Sequence, residues 1–414
     1  MPSLNVQIFI SAVLGLIVGG LVTQLGDDSV LRADILYSTG LLGSIFIDLL
    51  KMVLIPLVFT TIVVGVANLQ EHNQIHKVWT RTLAFFVLTM GLAMTVSLVA
   101  MNIFHVGEGM HLSMFQDAMA NYEHKKLTPS EFLVQFLHHI FQNPFSALAK
   151  GEVLPVVVFA MFLGVALIVS GERSKNILNL FKEFLDLVMR MIGWIMKLAP
   201  LGIFALLLKL VATQNSELLT TLIEFIVLII GTTLFHGIVV LPSLLYIFTK
   251  KSPLWFWRGS REALVTAFAT SSSTATLPVT LRCAEQHLHV RKDIAGFVVP
   301  LGATLNMDGT ALYEAAAALF VANLAGIDLS LGQQLIVFVT AMIASMGAPG
   351  IPSAGMVTMI LVLQSVGLPV EAIAILLPID RLLDTVRTAV NVQGDMISSL
   401  VVQELVLKTE EKSA

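Results

Sequence analysis

Apolar residues run in long blocks along this chain, and polar residues gather between the blocks or at a few places inside them. A helix that crosses a bilayer needs about 20 mostly apolar residues. By that measure residues 6–25, 37–68, 78–104, 154–169, 177–210, 218–249, 295–324 and 370–407 each predict a spanning helix. Two further apolar stretches, 262–284 and 332–368, are interrupted at their centres by "TSSSTATLP" (270–278) and "GAPGIPSAG" (347–355). Glycine and proline break helical hydrogen bonding. Unpaired backbone at membrane depth is tolerated only inside protein or beside a water-filled cavity. Kinked spans are one reading of these breaks. Yet each break precedes a polar-loaded helix, and a broken hairpin followed by such a helix is the layout of a transporter whose repeats meet at a midplane site. The pattern predicts an all-α polytopic membrane protein: eight transmembrane helices plus two re-entrant hairpins, in inverted repeats.

Composition fixes the solvent. The chain has 414 residues, of which 56% are hydrophobic and only 13% charged, and its mean hydropathy is +0.86. Soluble domains carry about 25% charged residues. The single cysteine, Cys283, excludes a disulfide within the chain and a metal cluster built on cysteines. A net charge of −4 gives no footprint for nucleic acid. The N-terminal stretch lacks the basic segment and cleavage site of a signal peptide, so the first span is expected to be retained. Basic residues cluster at Lys77 and Arg81, at Arg173, Lys175 and Lys182, and around the first interrupted stretch from Lys250 to Lys292. These loops are therefore expected inside, together with both termini, and 105–130 outside.

The polar residues inside the apolar blocks carry the chemistry. On a helix, Asp380, Asp384, Arg387, Asn391 and Asp395 fall within an arc of roughly 80°. A structural ion-pair ladder is one reading, because Asp384 and Arg387 can neutralise each other at i, i+3. Each charge at this depth costs about 2.5–3.5 kcal/mol, and a ladder needs only one pair. The surplus of carboxylates points to cations or an ammonium group as partners. In "GATLNMDGTALYE" (302–314), Asn306, Thr310 and Glu314 share a helical face, whereas Asp308 points away unless the helix unwinds between Gly302 and Gly309. Such unwinding would also expose carbonyl oxygens to a monovalent cation. Ser271, Ser272 and Ser273 add hydroxyls and, at a hairpin tip, backbone N–H groups for a carboxylate. An arginine fork binds a second carboxylate. A small acidic zwitterion carried with sodium or protons fits this set. No nucleophile elbow, HExxH, Walker, haem or flavin signature occurs, so no enzyme and no cofactor is expected.

"SSSTATLPVT" (271–280), "NMDGTALYE" (306–314), "GAPGIPSAG" (347–355) and "RTAVNVQGD" (387–395) resemble the signature segments of the dicarboxylate/amino acid:cation symporters, as do "KMVLIPLVF" (51–59) and "NPFSALAKGEVLPVVVF" (143–159). That family includes the excitatory amino acid transporters and the archaeal aspartate transporters. The resemblance covers essentially the whole chain. It implies a homotrimer in the plasma membrane. Residues 1–77 and 106–216 would be scaffold, and 78–105 and 217–414 a transport domain moving like an elevator. It also implies site residues. Asp384 would hold the substrate ammonium, and Arg387 with Thr310 the side-chain carboxylate. Ser273 and Asn391, with Ser271, Ser272, Ile351 and Thr388, would hold the remainder. One sodium would use Asp395 with Gly302, Asn306 and Asn391. A second would use carbonyls of Thr304, Ser345, Met346 and Ala348, and a third Asp308, Asn306 and Thr89. Glu314 would take up the proton. The family places an arginine at Ser271 or at Thr385, and this chain has neither. A C4-dicarboxylate or neutral amino acid carrier of the same family is an alternative, opposed by Asp384 and Arg387 respectively. An anion channel is a more distant one.

Overall fold

The computed structural model describes residues 4–26, 29–67, 76–109, 141–150, 153–213, 216–346, 348, 350 and 353–413. It is helical, with no strand among the described residues. Three stretches, Val30–Val64, Val78–Phe104 and Leu218–Thr249, are each long and apolar enough to cross a membrane unbroken. The expected span 177–210 is instead two helices, Lys175–Met196 and Ala199–Thr213. The bent pair turns by 51° at Lys197–Leu198. Pro200, just past the break, has no N–H to continue the first helix.

The chain divides into two compact units. The first comprises residues 1–67, 111–226 and 369–381. Its helices Leu4–Val22 (α1) and Val30–Ala67 (α2) each pack on Ala199–Thr213 (α3). Close approach there depends on missing side chains. A Cβ on Gly19 of α1 would lie 2.8 Å from Val211, and one on Gly202 of α3 would lie 2.4 Å from the Phe46 ring. Where lipid supplies no hydrophobic drive between helices, such small-residue contacts let backbones touch and gain van der Waals energy.

The second unit comprises residues 68–110, 227–368 and 382–414. At its centre is the helix Asp308–Leu324 (α4), whose residues are buried on nearly every side. A helix rich in alanine and apolar residues all round is a core helix. His76–Phe104 (α5) and the pair Leu331–Met346 (α6) and Ala354–Ser365 (α7) pack against it. Helices Pro253–Thr270 (α8) and Ser273–Arg282 (α9) also pack on each other. They reverse at Ser271, which sits at φ 50°. The helix Lys292–Leu305 (α10) precedes α4. The last helix, Ile373–Ser413 (α11), is continuous, with residues up to 381 in the first unit and those from 382 in the second.

Candidate functional site

Between α10 and α4 the helix stops at Asn306 and Met307, whose ψ angles are 81° and 52°. This break undoes the face that Asn306 was expected to share with Thr310 and Glu314. Asn306 instead donates from Nδ2 to Asp395 Oδ1 at 3.1 Å. Thr310 stays with Asn391, whose Nδ2 lies 3.4 Å from its hydroxyl, and Glu314 accepts from the Thr358 hydroxyl. The break also turns Asp308 inward, as the flanking glycines suggested. Asp308 opens α4, where the helix N-terminus favours a negative charge.

Asp308 gathers partners from two separate elements. The Thr89 hydroxyl of α5 lies 3.0 Å from Asp308 Oδ1 and 3.3 Å from Asn306 Oδ1. On the other side His236 Nε2 lies 3.1 Å from Asp308 Oδ2, with both side chains fully buried. His236 begins a π-helical turn, His236–Val240, of the kind often found at functional sites. Gln393 of α11 donates to the Gly237 carbonyl in that turn at 2.6 Å. Sequence reasoning missed both His236 and Gln393. The available signal was a histidine in an otherwise apolar span, which is a functional candidate by default.

The polar face of α11 is buried along its length, from Asp380 through Asp384, Arg387, Thr388 and Asn391 to Asp395. Arg387 Nη2 donates to Asp384 Oδ1 at 3.1 Å. The guanidinium carbon stands 4.0 Å from the centre of the Tyr313 ring, a cation–π contact that supports the charge in a dry site. The other Asp384 oxygen accepts the Ser353 N–H at 2.9 Å. Asn391 accepts the Gly309 N–H at 2.7 Å, which ties α11 to the first turn of α4. Missing side chains permit this approach: a Cβ on Gly302 would fall 2.3 Å from Asp395 Oδ1.

The α8–α9 tip meets the α6–α7 tip. Ser272 caps α9 by accepting the Ala275 N–H at 3.1 Å. Its hydroxyl also donates to the Gly350 carbonyl at 2.7 Å. Ser271, Ser273, Thr310, Ala348, Asp384, Thr388 and Asn391 line one small shared cavity. Of the residues expected to hold a cation through carbonyls, Gly302, Ser345 and Ala348 are buried, Met346 is half-buried and Thr304 is exposed. Ile351 lies outside the described residues. The fold thus brings the substrate candidates, Asp395, Asn306, Asp308 and Thr89 into one unit. Its inventory is a charged fork, two buried carboxylates with amide and hydroxyl neighbours, and a hairpin tip rich in hydroxyls.

The family model described as the sodium:dicarboxylate symporter family matches residues 4–405. Among curated relatives, excitatory amino acid transporter 3 of Oryctolagus cuniculus is 34% identical over 97% of this chain and 85% of its own length. The proton/sodium-glutamate symport protein of Geobacillus stearothermophilus is 32% identical over 96% of this chain and 93% of its own. A putative sodium-dependent excitatory amino acid transporter of Caenorhabditis elegans, glt-4, is 32% identical over 88% and 82% respectively.

Proposed function

This chain belongs to the sodium:dicarboxylate symporter family, and from that premise we propose that it imports glutamate and aspartate together with sodium and a proton. It is a multi-pass membrane transporter and not an enzyme, and sodium is a co-transported ion rather than a resident cofactor. The observation that carries the substrate class is the Asp384–Arg387 pair, 3.1 Å apart on one buried face. A substrate with an ammonium and a side-chain carboxylate can bridge the two, and the planar fork gives bidentate geometry that lysine cannot copy. Between substrates, Asp384 and Tyr313 offset the arginine charge. Ser271, Ser273, Thr388 and Asn391 stand around the same cavity for the α-carboxylate.

Asp395, bonded to the Asn306 amide, and Asp308, which shares the Thr89 hydroxyl with Asn306, supply negative charge for two sodium ions. Carbonyls of Thr304, Ser345, Met346 and Ala348 would hold another. Glu314, buried and bonded to Thr358, is the proton acceptor in this reading. All the described members of this set lie in the second unit. That supports an elevator in which this unit carries cargo and the other is the scaffold of a homotrimer, with α8–α9 and α6–α7 as re-entrant hairpins. The plasma membrane, with cytoplasmic termini, is the proposed setting.

The test is uptake of radiolabelled amino acids into proteoliposomes with sodium, proton and potassium gradients imposed one at a time. Concentrative glutamate or aspartate uptake that collapses without inward sodium is the expected result. Uptake of succinate in preference to both would favour the dicarboxylate alternative.

A further inference from the structure

We propose that Glu262, Cys283 and His287 form a site for a divalent cation of the zinc class, separate from the sodium and substrate residues. Cys283 and His287 begin and end a single π turn that continues α9, and Glu262 comes from the facing helix α8. The thiol sulfur, an imidazole nitrogen and a carboxylate oxygen all lie within 4.8 Å of one another. Tetrahedral zinc holds such ligands roughly 3.4–3.8 Å apart, given bond lengths of about 2.0–2.3 Å. Small side-chain rotations close that gap.

The imidazole is already arranged for the task. His287 Nδ1 lies 3.3 Å from the Gly259 carbonyl oxygen. A carbonyl can only accept, so Nδ1 is the donor in this contact and Nε2 is the nitrogen left for a metal. Metal-bound histidines commonly give their second nitrogen a partner of this kind. Cys283 is free and buried, whereas Glu262 and His287 are exposed. The cluster therefore has a protein wall on one side. On the other it borders a cavity of about 390 Å³, lined in part by Glu262 and His287, which leaves a fourth position for water.

Positive charge stands nearby and decides which cation fits. Arg282 is ion-paired with Glu262, with both side chains about half exposed. An exposed pair contributes little, so the carboxylate can exchange guanidinium for metal. Arg258 and Arg261 line the same cavity and disfavour a hard cation held by charge alone. Thiolate and imidazole favour zinc over magnesium or calcium through ligand softness. The Cys283 thiol loses its proton to solvent as the sulfur–metal bond forms, so affinity falls as pH falls.

The experiment uses the full chain purified in detergent. Zinc binding is measured by equilibrium dialysis, and cobalt(II) serves as a spectroscopic probe whose thiolate charge-transfer band reports sulfur ligation. The natural chain is expected to bind zinc and give that band. Cys283→Ser should abolish the band, and His287→Gln and Glu262→Gln should each weaken zinc binding at least ~10-fold. The last two residues are exposed, so their variants keep the test valid if Cys283→Ser fails to fold. Absence of the thiolate band in the natural chain, or unchanged zinc affinity in both His287→Gln and Glu262→Gln, overturns the proposal.

Discussion

Arg387 is a fully buried charge with Asp384 at one edge and the Tyr313 ring against its face. Truncating one member of a buried pair costs roughly 3–5 kcal/mol. Arg387→Cys is therefore expected to lose glutamate and aspartate uptake and to gain uptake of serine, alanine or cysteine. Competition with unlabelled amino acids reads this directly, and a variant that still prefers aspartate over serine would make Arg387 structural. Glu314→Gln removes the acidic proton while keeping the shape beside Thr358. Exchange of substrate should continue, but the response of uptake to an imposed pH gradient should vanish. His236 does not touch a proposed substrate group; it holds one oxygen of Asp308 while Thr89 faces the other. Removing a residue that orients a metal-binding carboxylate costs 10–100-fold in affinity in typical cases. We expect His236→Ala to weaken sodium binding by at least ~10-fold, with His236→Gln, which can still donate to Asp308, recovering part of the loss. Equal sodium affinity in all three proteins would remove His236 from this role.

At the scale of elements, the decisive feature is the two-residue break between α10 and α4. It lets Asn306 and Asp308, which a continuous helix would point apart, converge near Thr89. The break works only because glycine flanks it: Gly302 lies under Asp395, and a Cβ on Gly309 would approach the Arg387 backbone to 2.8 Å. Gly302→Ala should push Asp395 off Asn306. Overpacking of this kind costs about 1–3 kcal/mol, and here the loss should fall mainly on sodium affinity, because the displaced atom is the carboxylate oxygen itself. Isothermal titration with sodium would detect it. An unchanged affinity would mean that Asp395 Oδ1 is not a ligand. Gly302 and Gly309 make the break legible in the sequence, whereas i, i+4 spacing puts Asn306, Thr310 and Glu314 on one face. Spacing counts residues along an intact helix, and the break lies between the first of these and the other two.

On the scale of the whole molecule, two units with separate packing invite separate perturbation. A Cβ on Gly202 would overlap the buried Phe46 ring within the first unit. Gly202→Ala should lower thermal stability by about 1–3 kcal/mol. Its affinity for aspartate in detergent should be unchanged, since Gly202 and Phe46 belong to the first unit and the proposed substrate contacts to the second, and sites without shared partners act independently. A thermal melt followed by a binding isotherm on the same preparation checks both halves. Loss of binding along with stability would show that the units do not act separately.

Much of this protein was legible in the sequence because the relevant physics is local. Twenty apolar residues in a row exclude water wherever they sit, so membrane residence followed from the pattern alone, whereas 177–210 and 295–324, each expected as one span, are two helices apiece. The polar face from Asp380 to Asp395 followed from helical period, and α11 is indeed unbroken across it. The Asp384–Arg387 contact is a neighbour relation at i, i+3, and was readable for the same reason. What the tertiary structure decided were meetings between elements far apart in the chain. Thr89, which only the family resemblance had grouped with Asp308, stands beside it across 219 positions. His236 reaches the same carboxylate across 72, and Glu262 lies near Cys283 and His287 only because α8 folds back on α9. Helical period says which way a side chain faces on its own helix. Which partner waits there is set by helix packing, and that depends on glycines and breaks whose consequences appear only once the chain has folded.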